Sequence, residues 1–236
     1  MGSKSKIAKY ILPIILKDRT NQTYVEPFVG GCNMIDKVDG NRIGADSNKY
    51  LIAMWQGLQK AYSRPVLISK ALYVEARNSY NKYKLLPSNE ITLHDFLIGY
   101  IGWMGSFNGR FFDGGYSGQT KDRDYVDEQV RNTLKQIDSL KGVQFIYSSY
   151  FDLNIPDKSI IYCDPPYENT KQYSTSKDFN HSKFWQWCRD MKNKGHQIFI
   201  SEYKAPEDFI CVWQKEVTNS MNSTKTYKPI ERLFTL

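Results

Sequence analysis

The stretch that constrains this chain most is Ser159-Ile160-Ile161-Tyr162-Cys163 followed by Asp164-Pro165-Pro166-Tyr167. The first five residues are mostly β-branched, aromatic and apolar, as in a buried strand. Two prolines cannot continue a sheet ladder, so the strand stops before them. Asp164 is then left at the strand's carboxyl end, which in an open α/β sheet is the ligand-binding edge. Pro165 and Pro166 carry no N–H, so carbonyls here can aim outward without a competing local donor. One carboxylate, bare carbonyls and an aromatic face suit a neutral, planar, amine-bearing group. A plain turn, with Asp164 as turn former and Tyr167 as packing, is the competing reading.

Two more stretches read the same way. Thr23 to Phe28 is a first strand, and Val29-Gly30-Gly31-Cys32-Asn33 a tight turn in which glycine permits left-handed backbone and close approach of a ligand. It lacks the GxGxxG spacing of a dinucleotide fingerprint, which argues against an oxidoreductase. Arg42-Ile43-Gly44-Ala45-Asp46 is a second strand ending in an acid, and a helix follows to about Gln59. Asp46 can chelate ribose hydroxyls from such a strand tip, or Asp46 or Ser47 can simply cap the helix.

Between these groups the pattern changes. Lys4 to Lys17 reads as a helix with Ile7, Ile11, Ile14 and Ile15 on one face, bent or restarted at Pro13. The Gly2-Ser3-Lys4 run before it either caps that helix or holds a carboxylate on backbone N–H groups and an ammonium. Trp55 to Tyr83 and Leu93 to Met104 look helical. Ser106 to Tyr116 alternates turn formers with aromatics and reads as a hairpin or mobile loop, continued as a polar loop to Asp124. It is an ordinary surface loop or a nucleic-acid contact, with Arg110 reaching a base edge or phosphate and an aromatic filling the gap left by an extruded base. Tyr125 to Leu140 is an amphipathic helix and Val143 to Tyr147 a third strand. The last elements are a polar loop over 168–179, a helix over 181–194 and strands over 197–203, 209–217 and 233–236.

Composition narrows the class. A chain of 236 residues forms one domain, or one with a sizeable insertion. Its net charge of +7 suits a polyanionic partner. Cys32, Cys163, Cys188 and Cys211 form no Cys-x-x-Cys pair and lie at no zinc spacing with the three histidines, so buried thiols for most of them and no metal are expected. The apolar run Tyr10 to Leu16 is too short to span a bilayer, and no signal-peptide pattern precedes it, which points to the cytoplasm.

Several of these motifs, in this order, resemble the Dam-like, alpha-class (D12-type) DNA adenine-N6 methyltransferases, and the Ser201-Glu202-Tyr203 and Glu231-Arg232-Leu233-Phe234 runs look like phage-type members. Met1 to Lys4 resembles the family's first motif, Glu26-Pro27-Phe28-Val29-Gly30-Gly31 its glycine motif with Cys32 at the last Gly position, and Asp164 to Tyr167 its catalytic motif. The resemblance implies a Rossmann-like α/β methyltransferase sheet over 1–54 and 141–236, with a small helical and hairpin target-recognition insertion over 55–140. It implies S-adenosylmethionine as cofactor, held by Gly2, Lys4, Glu26, Phe28, Gly30, Gly31, Asp46, Ser149, Tyr150 and Asp164. Asp164, Pro165, Pro166 and Tyr167 would be catalytic. Asp164 and the Pro165 carbonyl would hold the hydrogens of adenine N6, and Tyr167 would stack on the extruded base. Phe107-Asn108-Gly109 resembles the start of the family's recognition hairpin; Asn108, Arg110, Tyr116, Lys121, Arg123 and Lys171 are the expected DNA contacts. The expected partner is double-stranded DNA, and the expected state a monomer or weak dimer. Methylation of cytosine N4 or of an RNA base is the nearest alternative, although the cytosine-N4 group more often has Ser at the Asp164 position. A catalytically silent DNA-binding relative is another.

Overall fold

A computed structural model describes residues 4–84, 90–168, 178–216 and 229–236. Its centre is a seven-stranded sheet built on β1 (Tyr24–Glu26), β2 (Arg42–Asp46), β3 (Val143–Tyr147), β4 (Ile160–Cys163), β5 (Gln197–Glu202), β6 (Ile210–Glu216) and β7 (Ile230–Thr235). The spatial order is β3-β2-β1-β4-β5-β7-β6. Neighbours are parallel from β3 through β5, and β7 runs antiparallel to both β5 and β6. The order reverses between β1 and β4, so their carboxyl ends open the crevice where an open α/β sheet binds ligands.

Period-two alternation explains how both faces are buried. Tyr24, Val143, Phe145, Ile160, Tyr162 and Leu233 point into one core, whereas Val25, Ile43, Ala45, Ile161, Cys163, Ile198, Ile200 and Phe234 point into the other. The first core is covered by α1 (Ser5–Ile15) and α2 (Lys49–Gln59), the second by α6 (His181–Asn193). In α1 the buried face is Ile7, Ala8, Ile11, Leu12 and Ile15, and the helix runs on through Pro13. Ile14, expected on that face, is only partly buried.

The region expected to be helical from Trp55 to Tyr83 is two helices. α2 ends at Gln59 and α3 (Lys70–Tyr83) starts on a Ser69 cap, with irregular chain around Pro65 between them. α2 itself crosses the boundary expected at residue 54. It is tied to the sheet through Gln56 Nε2 to the Phe145 carbonyl at 2.8 Å and Gln59 Nε2 to the Val143 carbonyl at 3.0 Å. α4 (Leu93–Gly105), started by a Thr92–Asp95 capping box, lies directly on α2. A Cβ on Gly99 would sit 1.9 Å from the Tyr50 carbonyl oxygen. The Lys49–Asp95 ion pair at 3.1 Å closes the same seam.

The Ser106–Tyr116 stretch is a closed loop. Ser106 and Tyr116 form an antiparallel bridge, and Phe107 N and Ser117 N donate to the carbonyls of Gly115 and Gly105. Phe112 turns inward, 4% exposed, with its ring 5.3 Å from Tyr73 and 5.2 Å from Tyr80. The polar loop that follows is a miniature hairpin pairing Gln119–Thr120 with Arg123–Asp124, with Lys121 at its tip. α5 (Tyr125–Gln136) follows, then a short 3-10 turn over Asp138–Leu140. No helix among the described residues is long and apolar enough to cross a membrane. Among those residues no group of three or more His, Cys, Asp or Glu side chains could hold a metal ion.

Because α2 and α4 meet backbone to backbone at Gly99, the Gly99→Ala protein should lose about 1–3 kcal/mol of stability through overpacking. A chemical-denaturation midpoint measures this, and an unchanged midpoint would show that the seam can widen at no cost.

Candidate functional site

β4 ends at Cys163, and Asp164 is the first residue past the ladder, as the prolines require. Its side chain is 24% exposed and faces the crevice beside β1. Pro165 is buried and Pro166 half-buried. Lys4, which is 7% exposed, reaches this point from the start of α1. Its ammonium lies 3.2 Å from Asp164 Oδ1, 2.9 Å from Glu231 Oε1 and 2.7 Å from the Tyr167 hydroxyl. The Tyr167 hydroxyl in turn donates to Glu231, and the Lys4 ammonium sits 4.6 Å from the Tyr167 ring centre. The chain's start, the motif after β4 and the last strand thus converge on one ammonium.

Charge follows from this geometry. Burial alone would lower the Lys4 pKa, but Asp164 and Glu231 outweigh it and hold it above the ordinary lysine value. Asp164 moves up: burial raises it, Lys4 pulls it down, and the neighbouring Glu231 pushes it up again. Two carboxylates therefore compete for one cation. Glu202, at the end of β5, is pushed up to about 7 chiefly by burial, against the backbone N–H groups of Tyr203 and Glu168 that it accepts at 2.7 Å and 3.1 Å.

The expectation that Lys4 receives a carboxylate from outside the chain meets carboxylates from inside it. The three ammonium donors all have partners in the cluster. Glu26 is buried, accepts the Tyr24 hydroxyl at 2.9 Å, and is raised well above the usual carboxylate range by burial. Gly30 has φ +47° and Cys32 φ +56°. Both are left-handed, so Cys32 adopts the conformation that glycine serves at the matching position of the motif it resembles. Gly31 is needed for space, because a Cβ there would meet Asn33 Nδ2 at 2.9 Å and the Trp103 ring at 3.1 Å.

Asp46 closes the glycine turn, with Oδ2 accepting Gly30 N at 3.1 Å and Oδ1 accepting Asn48 N at 2.9 Å. Burial pushes it up to about 6 in spite of these two donors. Neither Asp46 nor Ser47 caps α2. Asn48 does, accepting Tyr50 N at 3.2 Å and Leu51 N at 3.3 Å. Phe28 and Tyr150 stand together with ring centres 5.4 Å apart, backed by Phe179 and Phe184. Ser149 bonds Asp152 at 2.6 Å, which makes Asp152 part of a turn.

The expected DNA contacts divide. Lys121 is exposed at its hairpin tip. Arg123 is exposed too, but clamps Glu128 through two bonds of 2.6 Å and lies over the Tyr125 ring. The Tyr116 hydroxyl donates to the Ile68 carbonyl at 2.7 Å, and its ring packs on Tyr73, so it serves the first core. Arg110 is half-buried in the same loop. Phe107, 45% exposed, is an outward aromatic there that sequence reasoning did not single out. Asn108 lies in a 3-10 turn, and its side chain is outside the described set. Gly2 and Lys171 lie outside the described residues, as does most of the polar loop after Tyr167.

Glu231 and Glu202 were not assigned from sequence. The available signal was register. Glu202 continues the inward series Ile198–Ile200, and Glu231 shares the inward side with Leu233. A charge at a core-facing strand position needs a partner.

Two solved structures of the rRNA methyltransferase aviRa from Streptomyces viridochromogenes are similar to this chain over 98% of its length, and over 83% and 84% of theirs. Their identities are 9% and 8%, with a TM-score of 0.41 for each. No curated protein matches. A family model, the D12 class N6 adenine-specific DNA methyltransferases, matches residues 1–231, nearly the whole chain. With that match the chain belongs to the D12 class N6 adenine-specific DNA methyltransferase family.

Proposed function

We propose that the protein moves a methyl group from S-adenosylmethionine to N6 of an adenine extruded from double-stranded DNA. The observation that carries this reading is Asp164, a partly exposed carboxylate at the carboxyl end of β4, beside the reversal point of the sheet. Its Oδ1 is engaged by Lys4 at 3.2 Å.

The residues present fit the cofactor. Its net positive charge suits a crevice ringed by Glu26, Asp46, Asp164, Glu202 and Glu231, with Lys4 as the buried counter-charge. When bound, S-adenosylmethionine supplies an electrophilic methyl on a sulfonium. Asp46 would take the ribose hydroxyls, Phe28 and Tyr150 would flank the adenine ring with Ser149 at the same corner, and the Gly30–Gly31 turn would pass beneath the amino-acid portion. Lys4 and Gly2 would serve the amino-acid portion of the cofactor, as the resemblance implies, with Lys4 already paired with Asp164.

Adenine N6 is a poor nucleophile because its lone pair is conjugated into the ring. Asp164 and the Pro165 carbonyl, as acceptors of its two hydrogens, would draw the nitrogen toward sp3 geometry and orient its lone pair for in-line attack, and the proton that N6 gives up as the S–CH3 bond is exchanged for N–CH3 would pass to Asp164 and on to solvent. No covalent enzyme intermediate is needed. Extruding the base costs a few kcal/mol, which phosphate contacts from the insertion must offset. Within the insertion, residues 55–140, Lys121, exposed at its hairpin tip, would be the first contact, with Arg110, Arg123 and Asn108 as further candidates. Tyr167 presents a ring with its hydroxyl anchored, which would restrict that ring to stacking.

The direct test is methyl transfer from labelled S-adenosylmethionine to unmethylated double-stranded DNA, with digestion to nucleosides and mass spectrometry. N6-methyladenine is expected, and Asp164→Ala should reduce its formation roughly a hundred- to ten-thousand-fold. A mutant with near wild-type rate would refute the role of Asp164, and methylated RNA alone would move the substrate. Lys121→Ala should weaken DNA binding and flatten the slope of log affinity against log salt by about 0.9. An unchanged slope would remove Lys121 from the phosphate contacts. Asp46 is charged only above a pH of about 6. Cofactor affinity should therefore fall as pH drops through that value, and Asp46→Asn should bind weakly with no such step. Calorimetric titration at several pH values decides this.

A further inference from the structure

We propose that Glu231 is a positioning residue for the Asp-Pro-Pro-Tyr site, holding Lys4 and Tyr167 from the reversed last strand and so leaving one oxygen of Asp164 available to the target amine. The inference rests on the reading of Asp164 given above and deepens it.

Glu231 reaches the site because β7 is antiparallel. The carboxyl ends of β4 and β5 lie at one edge of the sheet, and the beginning of β7 lies at the same edge. The pairing of Glu202, last in β5, with Arg232 fixes that alignment. From there Glu231, 5% exposed, accepts from the Lys4 ammonium at 2.9 Å and from the Tyr167 hydroxyl. Lys4 stands nearer to Glu231 than to Asp164, 2.9 Å against 3.2 Å.

Without the negative charge of Glu231, Lys4 would turn its whole charge on Asp164 and make a tight ion pair of it. An acceptor locked in such a pair is a weaker partner for an incoming N–H. With Glu231 present, the ammonium is shared. Asp164 keeps a higher basicity, while Tyr167 and Lys4 stay in place. The other titratable groups acting on or felt by Asp164 are Glu26 on β1, Tyr162 and Cys163 on β4, Glu202 on β5, Tyr203, Tyr167 and the chain's amino group. Of the side chains of opposite effect, Glu231 and Lys4 act on Asp164 most strongly.

The test is the pH profile of kcat for methyl transfer in wild type, Glu231→Gln, Glu231→Asp and Glu202→Gln. Glu231→Gln keeps the shape and removes the charge. Its plateau kcat should fall by about tenfold, the scale of a misplaced or weakened catalytic group, and its acid limb should move to lower pH, because Asp164 loses the neighbour that raised it. KM for S-adenosylmethionine should hardly change. Glu231→Asp restores the charge with a shorter reach, so its limb should return to the wild-type position while kcat stays reduced. A wild-type rate and limb in Glu231→Gln would overturn the proposal. So would a loss of rate with no movement of the limb, which is all that a structural role predicts. A limb that disappears in Glu202→Gln would belong to Glu202 and would also overturn it. If Glu231→Gln fails to fold, Glu231→Asp decides, since a full rate from a side chain too short to serve both Lys4 and Tyr167 refutes the role. Absence of methyl transfer by the wild-type protein would count against the proposed function instead.

Discussion

A buried ammonium shared by two carboxylates is the interaction on which this site depends. Removing an ammonium from water costs several kcal/mol unless it is paired. Lys4, 7% exposed, is tolerable only because Asp164, Glu231 and Tyr167 surround it. The converse also holds: without Lys4 the two carboxylates would face each other with no counter-charge between them. This mutual requirement ties residue 4, the motif after residue 163 and residue 231 into one unit. Hydrophobic burial holds the sheet together, but it does not specify which polar group stands where at the carboxyl edge. The charge cluster supplies that specification.

The sheet order makes the cluster reachable. A parallel sheet with a reversal between β1 and β4 leaves a crevice at that edge, and the glycine turn after β1 and the Asp-Pro-Pro-Tyr turn after β4 form its two lips. Asp46 closes the first lip by accepting the N–H of Gly30. Glu202 steadies the chain just beyond the second by accepting the N–H of Glu168. Each lip is thus held by an acid at the end of a neighbouring strand. Both acids are raised by burial, to about 6 and about 7. The site is therefore built from carboxylates kept part-way toward neutrality, which suits binding a cation without accumulating repulsion.

The chain from α3 to the closed loop at Tyr116 extends the first core with a different chemistry. Its contribution is largely aromatic, from Tyr73, Tyr80, Phe111, Phe112 and Tyr116, and such ring pairs are worth about 0.5–1.5 kcal/mol each beyond the area they bury. Tyr116, which reads as a nucleic-acid contact, is spent on this packing. A Tyr or Phe in a loop between turn formers looks outward in sequence, yet here the rings fold inward onto α3 and α4. The charged hairpin tip at Lys121 and the outward ring of Phe107 are what remain on the surface.

Local chemistry sufficed for much of this protein. β-branched runs and period-two alternation marked the strands, two prolines marked where β4 must end, and the positions of Gly30, Asp46 and Asp164 at strand ends followed from those stops. These are short-range constraints, set by backbone sterics and donor inventory, and they can be read from neighbouring residues. The break after Gln59, the cap at Asn48 and the inward turn of Phe112 depended on what packs from elsewhere. The role of Glu231 lay furthest from view. It follows from the direction of one strand, which brings a residue near the chain's end to the same edge as Asp164 and opposite Lys4. Partners separated by 67 and 227 positions have no local signature. Only the closed sheet, where an uncompensated charge would be too costly to bury, decides that they meet.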